Sequence, residues 1–445
     1  MLLQRLLEQY LGRCVNAAFR HEHPLVIAVA GSVGKSSTKE AIGVAIGARE
    51  KGSRVVASTK NYNNELGVPL TVFGCDAPGR NVLAWCVLLI KATCAHLGVT
   101  KNRASTFVLE MATDRPSDLA RLVAIAKPNV GVLTAIGPEH TEFFGTVEGV
   151  AREEGTIVRC LGPEDAAVVN ADDATVMACT SGSSANISTF GASEEATVRI
   201  LETRMVIDHA SQESSGLDVT IGISGSTRSF RITGTIGRPQ AYAVAAALAV
   251  VNAIDGNEAL AVSRLAEQYH GMPGRMRLLS GIKHTWLIDD SYNSSPLAAL
   301  SAIQDLAAFP VNEGCRRIAA LGDMLELGSL AEESHRDVGR AVAEAGMPTP
   351  RSRHDTIGML VACGMLAHVV ADAARSAGMS DDRIFTFSQS ADAGRFIQDT
   401  LKEGDVVLIK GSQGVRMERI TFELLAHPER AEELLVRQSK EWRER

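Results

Sequence analysis

The apolar run Leu25–Ala30 leads directly into Gly31-Ser32-Val33-Gly34-Lys35-Ser36-Ser37-Thr38 and then into a helical pattern. This order of strand, glycine-containing loop and helix constrains the chain more than any other feature, because it is the setting in which a loop can wrap phosphate. Glycines let backbone N–H groups approach phosphate oxygens, and the helix N-terminus adds a favourable dipole. In this reading Gly31, Ser32, Val33, Gly34, Lys35, Ser36 and Ser37 bind ATP, with Lys35 at the β- and γ-phosphates and the Ser36 hydroxyl on Mg²⁺. The strict motif carries a further glycine where Val29 stands, so a glycine-rich turn before a helix is the plainer alternative.

Beyond Pro24, short Val/Ile/Leu-rich runs alternate with longer helical segments, and Leu25–Ala30, Arg54–Ser58, Thr106–Glu110 and Asn129–Thr134 read as strands. Such alternation predicts an α/β fold: a P-loop-type central domain with a mainly parallel sheet covered by helices. From about Ala166 to Gly234, strand-like runs such as Val198–Ile207 and Leu217–Ile223 are separated by Ser/Gly-rich turns. That texture predicts a β-rich extension of antiparallel hairpins. An alanine-rich helix over Gln240–Ala253 leads to a hinge at Gly271–Gly274, and Trp286–Asp289, Arg317–Leu321 and Val406–Ile409 then predict a Rossmann-like α/β domain. The expected organisation is a short helical segment over 1–23, a central ATP-binding domain over 24–272 and a C-terminal domain over 273–445, with a helical tail after His427.

A chain of 445 residues, 45% of them hydrophobic, can build two or three cores. Its formal net charge of −7 argues against a general nucleic-acid or membrane-surface binder, leaving room for a local anion site. Eight cysteines without a Cys-x-x-Cys pair point to free thiols in a reducing cytosol. The leucines of the first 23 residues are interrupted by Arg5, Glu8, Arg13 and Arg20, which reads as an amphipathic helix and not a signal peptide. Val82–Ala95 is shorter than a membrane span and contains Lys91, so it is expected to be a buried helix. A cytoplasmic protein without stable membrane insertion or nucleic-acid partner follows.

The phosphate loop resembles that of the Mur ligases and folylpolyglutamate synthetases, and the Mur resemblance extends over most of the chain. Lys60-Asn61-Tyr62-Asn63-Asn64-Glu65-Leu66-Gly67-Val68-Pro69-Leu70-Thr71 is similar to the family's asparagine-rich substrate loop. Leu109-Glu110-Met111, the run Ile136–Gly145 with His140, and Asn170-Ala171-Asp172-Asp173 follow in the family's order. Further on, Gly274-Arg275-Met276-Arg277, Asp289-Asp290-Ser291-Tyr292-Asn293, Leu321–Gly328 and Lys410-Gly411-Ser412-Gln413-Gly414 resemble the D-alanyl-D-alanine-adding branch. The resemblance implies an ATP-dependent, ADP-forming ligase of peptidoglycan synthesis that activates a carboxylate as an acyl phosphate, which an amine then attacks. Such chemistry concentrates negative charge and needs cations aimed at the reacting oxygens. By resemblance, Ser36 and Glu110 hold a first Mg²⁺ and His140 a second, while Asn61, Asn63, Asn64 and Lys410 meet substrate. Arg275 reaches phosphate, Asp290 and Asn293 lie near the ribose or phosphates, and Tyr292 packs beside adenine as the second domain closes. Surface carboxylates, a structural histidine, a core tyrosine and a solvated lysine are the plainer alternatives.

Three departures from the family pattern stand out. Most members place a lysine, used as its CO₂ adduct, 14 residues after the equivalent of His140, where this chain has Glu154. Glutamate keeps the carboxylate on a shorter arm that acts only through a backbone shift or a bridging water, so Glu154 is a catalytic substitute, a solvated helix glutamate or the mark of a weakened enzyme. The usual His and Asn of the nucleotide-contacting helix correspond to Pro239 and Ala243. The phosphate loop begins about 30 residues into the chain, where the family usually has a uridine-nucleotide-binding domain first. Binding of a UDP-sugar is then rebuilt elsewhere, supplied by a partner to an otherwise monomeric enzyme, or absent because the acceptor differs. The expected substrates are D-alanyl-D-alanine and a UDP-muramoyl-tripeptide-like precursor. A folylpolyglutamate-synthetase-like ligase and a nucleotide-binding partner subunit with little catalysis are the competing readings.

Overall fold

The computed structural model describes residues 2–58, 62–100, 104–138, 141–209, 214–345, 357–439 and 442. The chain divides into two units: Met1–Glu202 with Val219–Phe230 and Ala241–Tyr269, and Thr203–Asp218 with Arg231–Gln240 and His270–Arg445.

In chain order the strands of the first sheet are β1 (Leu25–Ala30), β2 (Val55–Ala57), β3 (Thr106–Glu110), β4 (Val130–Leu133), β5 (Ala166–Asn170), β6 (Asn186–Gly191), β7 (Val198–Val206), β8 (Gly216–Ile223) and β9 (Ser226–Thr233). Their spatial order is β2-β3-β1-β4-β5-β6-β7-β8-β9. β1 is apolar throughout and buried from Val26 to Ala30, as a parallel strand covered on both faces must be. It pairs in parallel with β3, Val29 opposite Glu110, and with β4, Ala30 opposite Leu133. The carboxyl ends of these three strands therefore lie side by side.

The helices leading to the site are α1 (Leu2–Glu22), α2 (Lys35–Ala45), α3 (Gly67–Val72), α4 (Val82–His96), α5 (Asp118–Ile125), α6 (Thr141–Phe144) and α7 (Val147–Glu154). Val15 on α1, Leu119 and Leu122 on α5 and Val150 on α7 join the buried strand residues Phe107, Leu109 and Leu133 in one core. α1 reaches close to α5 because Gly12 has no side chain: a Cβ there would stand 2.8 Å from Cγ1 of Ile125.

The second sheet comprises β10 (Arg277–Gly281), β11 (Thr285–Asp290), β12 (Arg317–Gly322), β13 (Ile357–Cys363), β14 (Ile384–Phe387) and β15 (Val406–Lys410), in the order β10-β11-β15-β12-β13-β14. β10 is antiparallel to β11, and the other pairings are parallel. Ile288, Ala319 and Leu408 face one core, whereas Leu287, Ile318 and Val407 face another, so this sheet is covered on both sides.

The mixed α/β architecture agrees with the sequence, with three local differences. Val82–Ala95 does form a helix, α4, but buries only Leu88, Ala92 and Ala95. A helix apolar on all sides buries only the stripe its neighbours cover, here against Leu11 and Cys14 of α1 and Leu70 of α3, and leaves Val82, Leu83, Val87 and Ile90 exposed. The stretch from Ala166 is not a set of hairpins from its start: β5 and β6 continue the parallel sheet. The two-residue turn Ser224-Gly225, with both φ angles positive, links β8 to β9. Among the described residues, the tail after His427 is broken into the 3-10 turn Pro428–Arg430 and the short helix Ala431–Leu434, after which Leu435 packs into the core.

In the second unit, Asp305 on the helix Pro296–Ala308 is buried, with Oδ2 lacking a hydrogen-bond partner. Burial pushes its carboxyl up to about 7, against the opposing pull of the Arg238 backbone N–H. A carboxyl raised on folding contributes stability that is complete below its unfolded value near 3.8 and is lost as pH rises through about 7. Asp305→Asn is therefore expected to be more stable than the parent at pH 8 by roughly 2–4 kcal/mol, with the gain shrinking towards pH 5. Denaturant titrations at the two pH values check this, and a gain independent of pH would contradict it.

Candidate functional site

The loop that follows β1 turns on Gly31, whose φ of 123° lies in the region open to glycine. A Cβ at Gly31 would stand 2.4 Å from the Thr134 Oγ1 at the end of β4. That hydroxyl donates to the Val33 carbonyl at 2.7 Å. Ser32 N–H donates to the Ala135 carbonyl at 2.7 Å, and Gly137 N–H donates to Ser32 Oγ at 3.1 Å. From the other side, the Gly31 N–H donates to the Glu154 carboxylate at 2.8 Å. The loop is thus pinned from the segment after β4 and from the last turn of α7.

α2 begins at Gly34, in the left-handed region, without a side-chain cap. The first N–H groups of a helix have no intrahelical partner, so this start offers donors and a positive dipole end to an anion. Lys35 is half-buried, its ammonium donating to the carbonyls of Gly31 and Ser32. Ser36 and Ser37 are buried in the first turn.

Glu110, at the end of β3, is only 3% exposed. Asn63 Nδ2 donates to its Oε1 at 3.3 Å, and Lys39 Nζ stands 3.6 Å from its Oε2. Lys39 is fully buried and makes no hydrogen bond, so its charge is balanced by Glu110 across that gap. Asn64 serves the backbone instead, its Oδ1 accepting from the Gly67 N–H at 2.8 Å and so starting α3. Asn61 and His140 lie outside the described residues.

In the second unit the carboxyl ends of β11, β15 and β12 carry the polar groups, as parallel sheets with ligands there commonly do. Lys410 is 2% exposed and donates to Asp290 Oδ2 at 2.7 Å and to the Asn293 carbonyl at 3.1 Å. Asp290 Oδ1 accepts from the Met276 N–H at 3.2 Å. The Arg275 guanidinium lies 4.3 Å from the centre of the Tyr292 ring, and Arg437 lies 5.3 Å from it. Arg437 also donates to the carbonyls of Ser291 and Tyr292 and to Glu418. Burial holds its guanidinium below its ordinary value. Asp289 is pushed up to about 6 by burial, and its oxygens accept from Gly274 N–H and Thr421 Oγ1, each at 3.0 Å.

The structure brings Asn63 to Glu110, and Glu154 to the loop of Gly31–Ser37, within the first unit. Arg275 comes to Tyr292, and Lys410 to Asp290 and Asn293, within the second. Lys39 and Arg437 were missed by sequence reasoning. Lys39 is legible in hindsight as the residue one turn after Ser36, and Arg437 follows the apolar triplet Leu434-Leu435-Val436 in the tail. Thr134 was read only as a strand residue, although a polar group ending an apolar run beside the loop marked it.

Family models for the Mur ligase middle domain and the Mur ligase, glutamate ligase domain match residues 90–251 and 274–413. The chain is 28% identical over 407 residues to the UDP-N-acetylmuramoyl-tripeptide–D-alanyl-D-alanine ligase of Bacillus subtilis (strain 168), covering 91% of this chain and 76% of that protein. It is 26% identical to the protein of the same name from Synechocystis sp., over 90% and 74% of the two chains. The MurF ligase structure from Thermotoga maritima in complex with ADP matches with a TM-score of 0.72 at 23% identity, covering 94% of this chain and 83% of that one.

Two substitutions read the geometry. Glu154→Gln keeps an acceptor for the Gly31 N–H and is expected to leave the ATP dissociation constant within about threefold, whereas Glu154→Ala weakens ATP binding by about tenfold or more. Calorimetric titration of ATP checks both; equal losses would show that the charge of Glu154, and not its hydrogen bond, matters. Lys39→Met leaves Glu110 without its buried counter-charge and is expected to cost about 3–5 kcal/mol of stability in denaturant unfolding.

Proposed function

The chain belongs to the Mur ligase family, and from that premise we propose that it uses ATP to join D-alanyl-D-alanine to the terminal carboxylate of a UDP-muramoyl-tripeptide-like precursor of peptidoglycan. The observation that carries the reading is the meeting of an uncapped phosphate-type loop on β1 with the buried Glu110 at the end of β3 and its half-buried partner Asn63. Asn63 comes from the asparagine-rich loop that resembles the family's substrate loop, so nucleotide-type and acceptor-type elements converge on one carboxylate.

In the reaction, an acceptor carboxylate oxygen attacks the γ-phosphorus and ADP leaves. The amine then attacks the acyl carbon, the C–N bond forms and inorganic phosphate departs with the C–O bond broken. The N–H groups at the start of α2 and the ammonium of Lys35, released from the Gly31 and Ser32 carbonyls, bind the phosphates. Asn63 orients Glu110 and presents the remainder of its amide to substrate. Ser36 and Glu110 would hold Mg²⁺: a hydroxyl and a carboxylate are hard oxygen donors, both are buried, and Mg²⁺ takes few protein ligands alongside phosphate oxygens. Bound there, the ion supplies charge neutralisation for the phosphoryl group.

In the second unit, Arg275, Asp290, Tyr292 and Asn293 serve the nucleotide, and Lys410, held by Asp290, orients that strand end. Among the described residues no helix is long and apolar enough to cross a membrane.

The decisive measurement is phosphate release by the purified protein with ATP and Mg²⁺, with and without D-alanyl-D-alanine and UDP-muramoyl-tripeptide. Release is expected to need both substrates, to yield an amide of the corresponding mass, and to fall about 10²-fold or more in Lys35→Ala. ATP binding without turnover under these conditions would refute the substrate assignment.

A further inference from the structure

A groove of about 1200 Å³ runs along the first unit between α1 and α5, outside the phosphate loop. Its walls carry Arg5, Arg13 and Arg20 from α1, Arg121 from α5, His96 from the end of α4 and Glu65 from the asparagine-rich loop. Gly12 and the 3.1 Å hydrogen bond from Asn16 Nδ2 to the Ala124 carbonyl hold α1 down on α5 and fix the groove floor. The groove is an excess of cations: its carboxylates are Glu8, which accepts from Gln4, and Glu65, which pairs with Arg121 at 3.0 Å.

The three arginines of α1 form no ion pair or hydrogen bond with the described residues, in contrast to Arg49, Arg228, Arg264 and Arg316, which each meet a carboxylate. Spacings of eight and seven residues keep Arg5, Arg13 and Arg20 close to one stripe, rising about 22 Å in all. Unpaired guanidiniums along one wall of a groove suit an extended anion with phosphate oxygens to fork, more than a single buried phosphate. The groove also adjoins acceptor-type residues, since Glu65 follows Asn63 by two positions and Asn63 touches Glu110.

We infer that this groove binds the diphosphate end of the acceptor, so that the first unit itself holds both the reacting carboxylate end and the diphosphate end of one elongated substrate. The inference rests on the acceptor class proposed above. Diphosphate esters come from two sources, a soluble nucleoside diphosphate and a lipid carrier. The second is brought in by the exposed apolar face of α4, whose His96 lines the groove.

The experiment measures binding to the full chain with its nucleotide site saturated by a non-hydrolysable ATP analogue and Mg²⁺. The probes are UDP and, separately, farnesyl diphosphate, each titrated against the parent, Arg13→Gln/Arg20→Gln and Arg13→Lys/Arg20→Lys. The glutamine pair is expected to weaken the bound probe by about tenfold or more per arginine, the lysine pair to restore much of it, and ATP affinity to stay unchanged. A loss confined to UDP assigns the soluble source, and one confined to farnesyl diphosphate the lipid source. Equal binding of both probes by parent and glutamine variant, or no binding by the parent, overturns the groove. Turnover of UDP-muramoyl-tripeptide separates the two readings. Parent-like KM in the glutamine variant sinks the groove and leaves the ligase; arginine-dependent UDP binding without turnover leaves the groove and sinks the acceptor.

Discussion

The backbone N–H of Gly31 is the point on which the first unit converges. Glu154 reaches it from the end of α7, Thr134 occupies the space a side chain would need, and β1 delivers it between β3 and β4. Each contact is modest, with a hydrogen bond to a charged acceptor contributing about 1.5–3 kcal/mol. Their joint effect is to give the loop one shape before ligand arrives, so that less ordering remains to oppose binding. The neighbouring carboxylate Glu153 fixes the next element: it accepts from the N–H groups of Ser117 at 2.9 Å and Leu119 at 2.8 Å, where α5 starts without a side-chain cap of its own. One helical turn thereby orients both the phosphate loop and α5.

The two units solve the same electrostatic problem in similar ways. In each, a nearly inaccessible lysine is set against a carboxylate at the carboxyl end of a parallel strand: Lys39 with Glu110, and Lys410 with Asp290. The gaps differ, 3.6 Å without a hydrogen bond in the first and 2.7 Å with one in the second. The looser pair adds no hydrogen bond to the one Glu110 accepts from Asn63, while the tighter pair commits Asp290 to the lysine and to the Met276 N–H. This difference matches a carboxylate proposed to hold a metal and one that organises a strand end.

Much of this was legible in the sequence where local pattern and tertiary demand coincide. The strand–loop–helix of Leu25 to Ala45, the parallel strands ending at Glu110 and Leu133 and the second α/β unit all follow from apolar runs with turns between them. What was not legible depends on partners distant in sequence. Whether Glu154 meets solvent or Gly31 is decided across 123 residues, and nothing within α7 encodes it. Asn63 and Asn64 are identical in type, yet one turns to Glu110 and the other caps α3, because only the second precedes a helix start by the right interval. α4 was misjudged because apolar composition speaks to burial only when enough neighbours exist to cover every face.

The place of β15 in its sheet carries a consequence for biogenesis. It is the last strand of the second unit to be made, yet it lies between β11 and β12, which come some 85 to 120 residues earlier. Until it emerges from the ribosome, the facing edges of β11 and β12 have no neighbour, and Asp290 has no lysine. Nascent chains therefore pass through a stage with two apolar strand edges open in the middle of a sheet, the stage at which chaperone capture is most useful. Placing Lys410 on that closing strand means that the polar cluster at Asp290 is completed in the same event as the sheet itself.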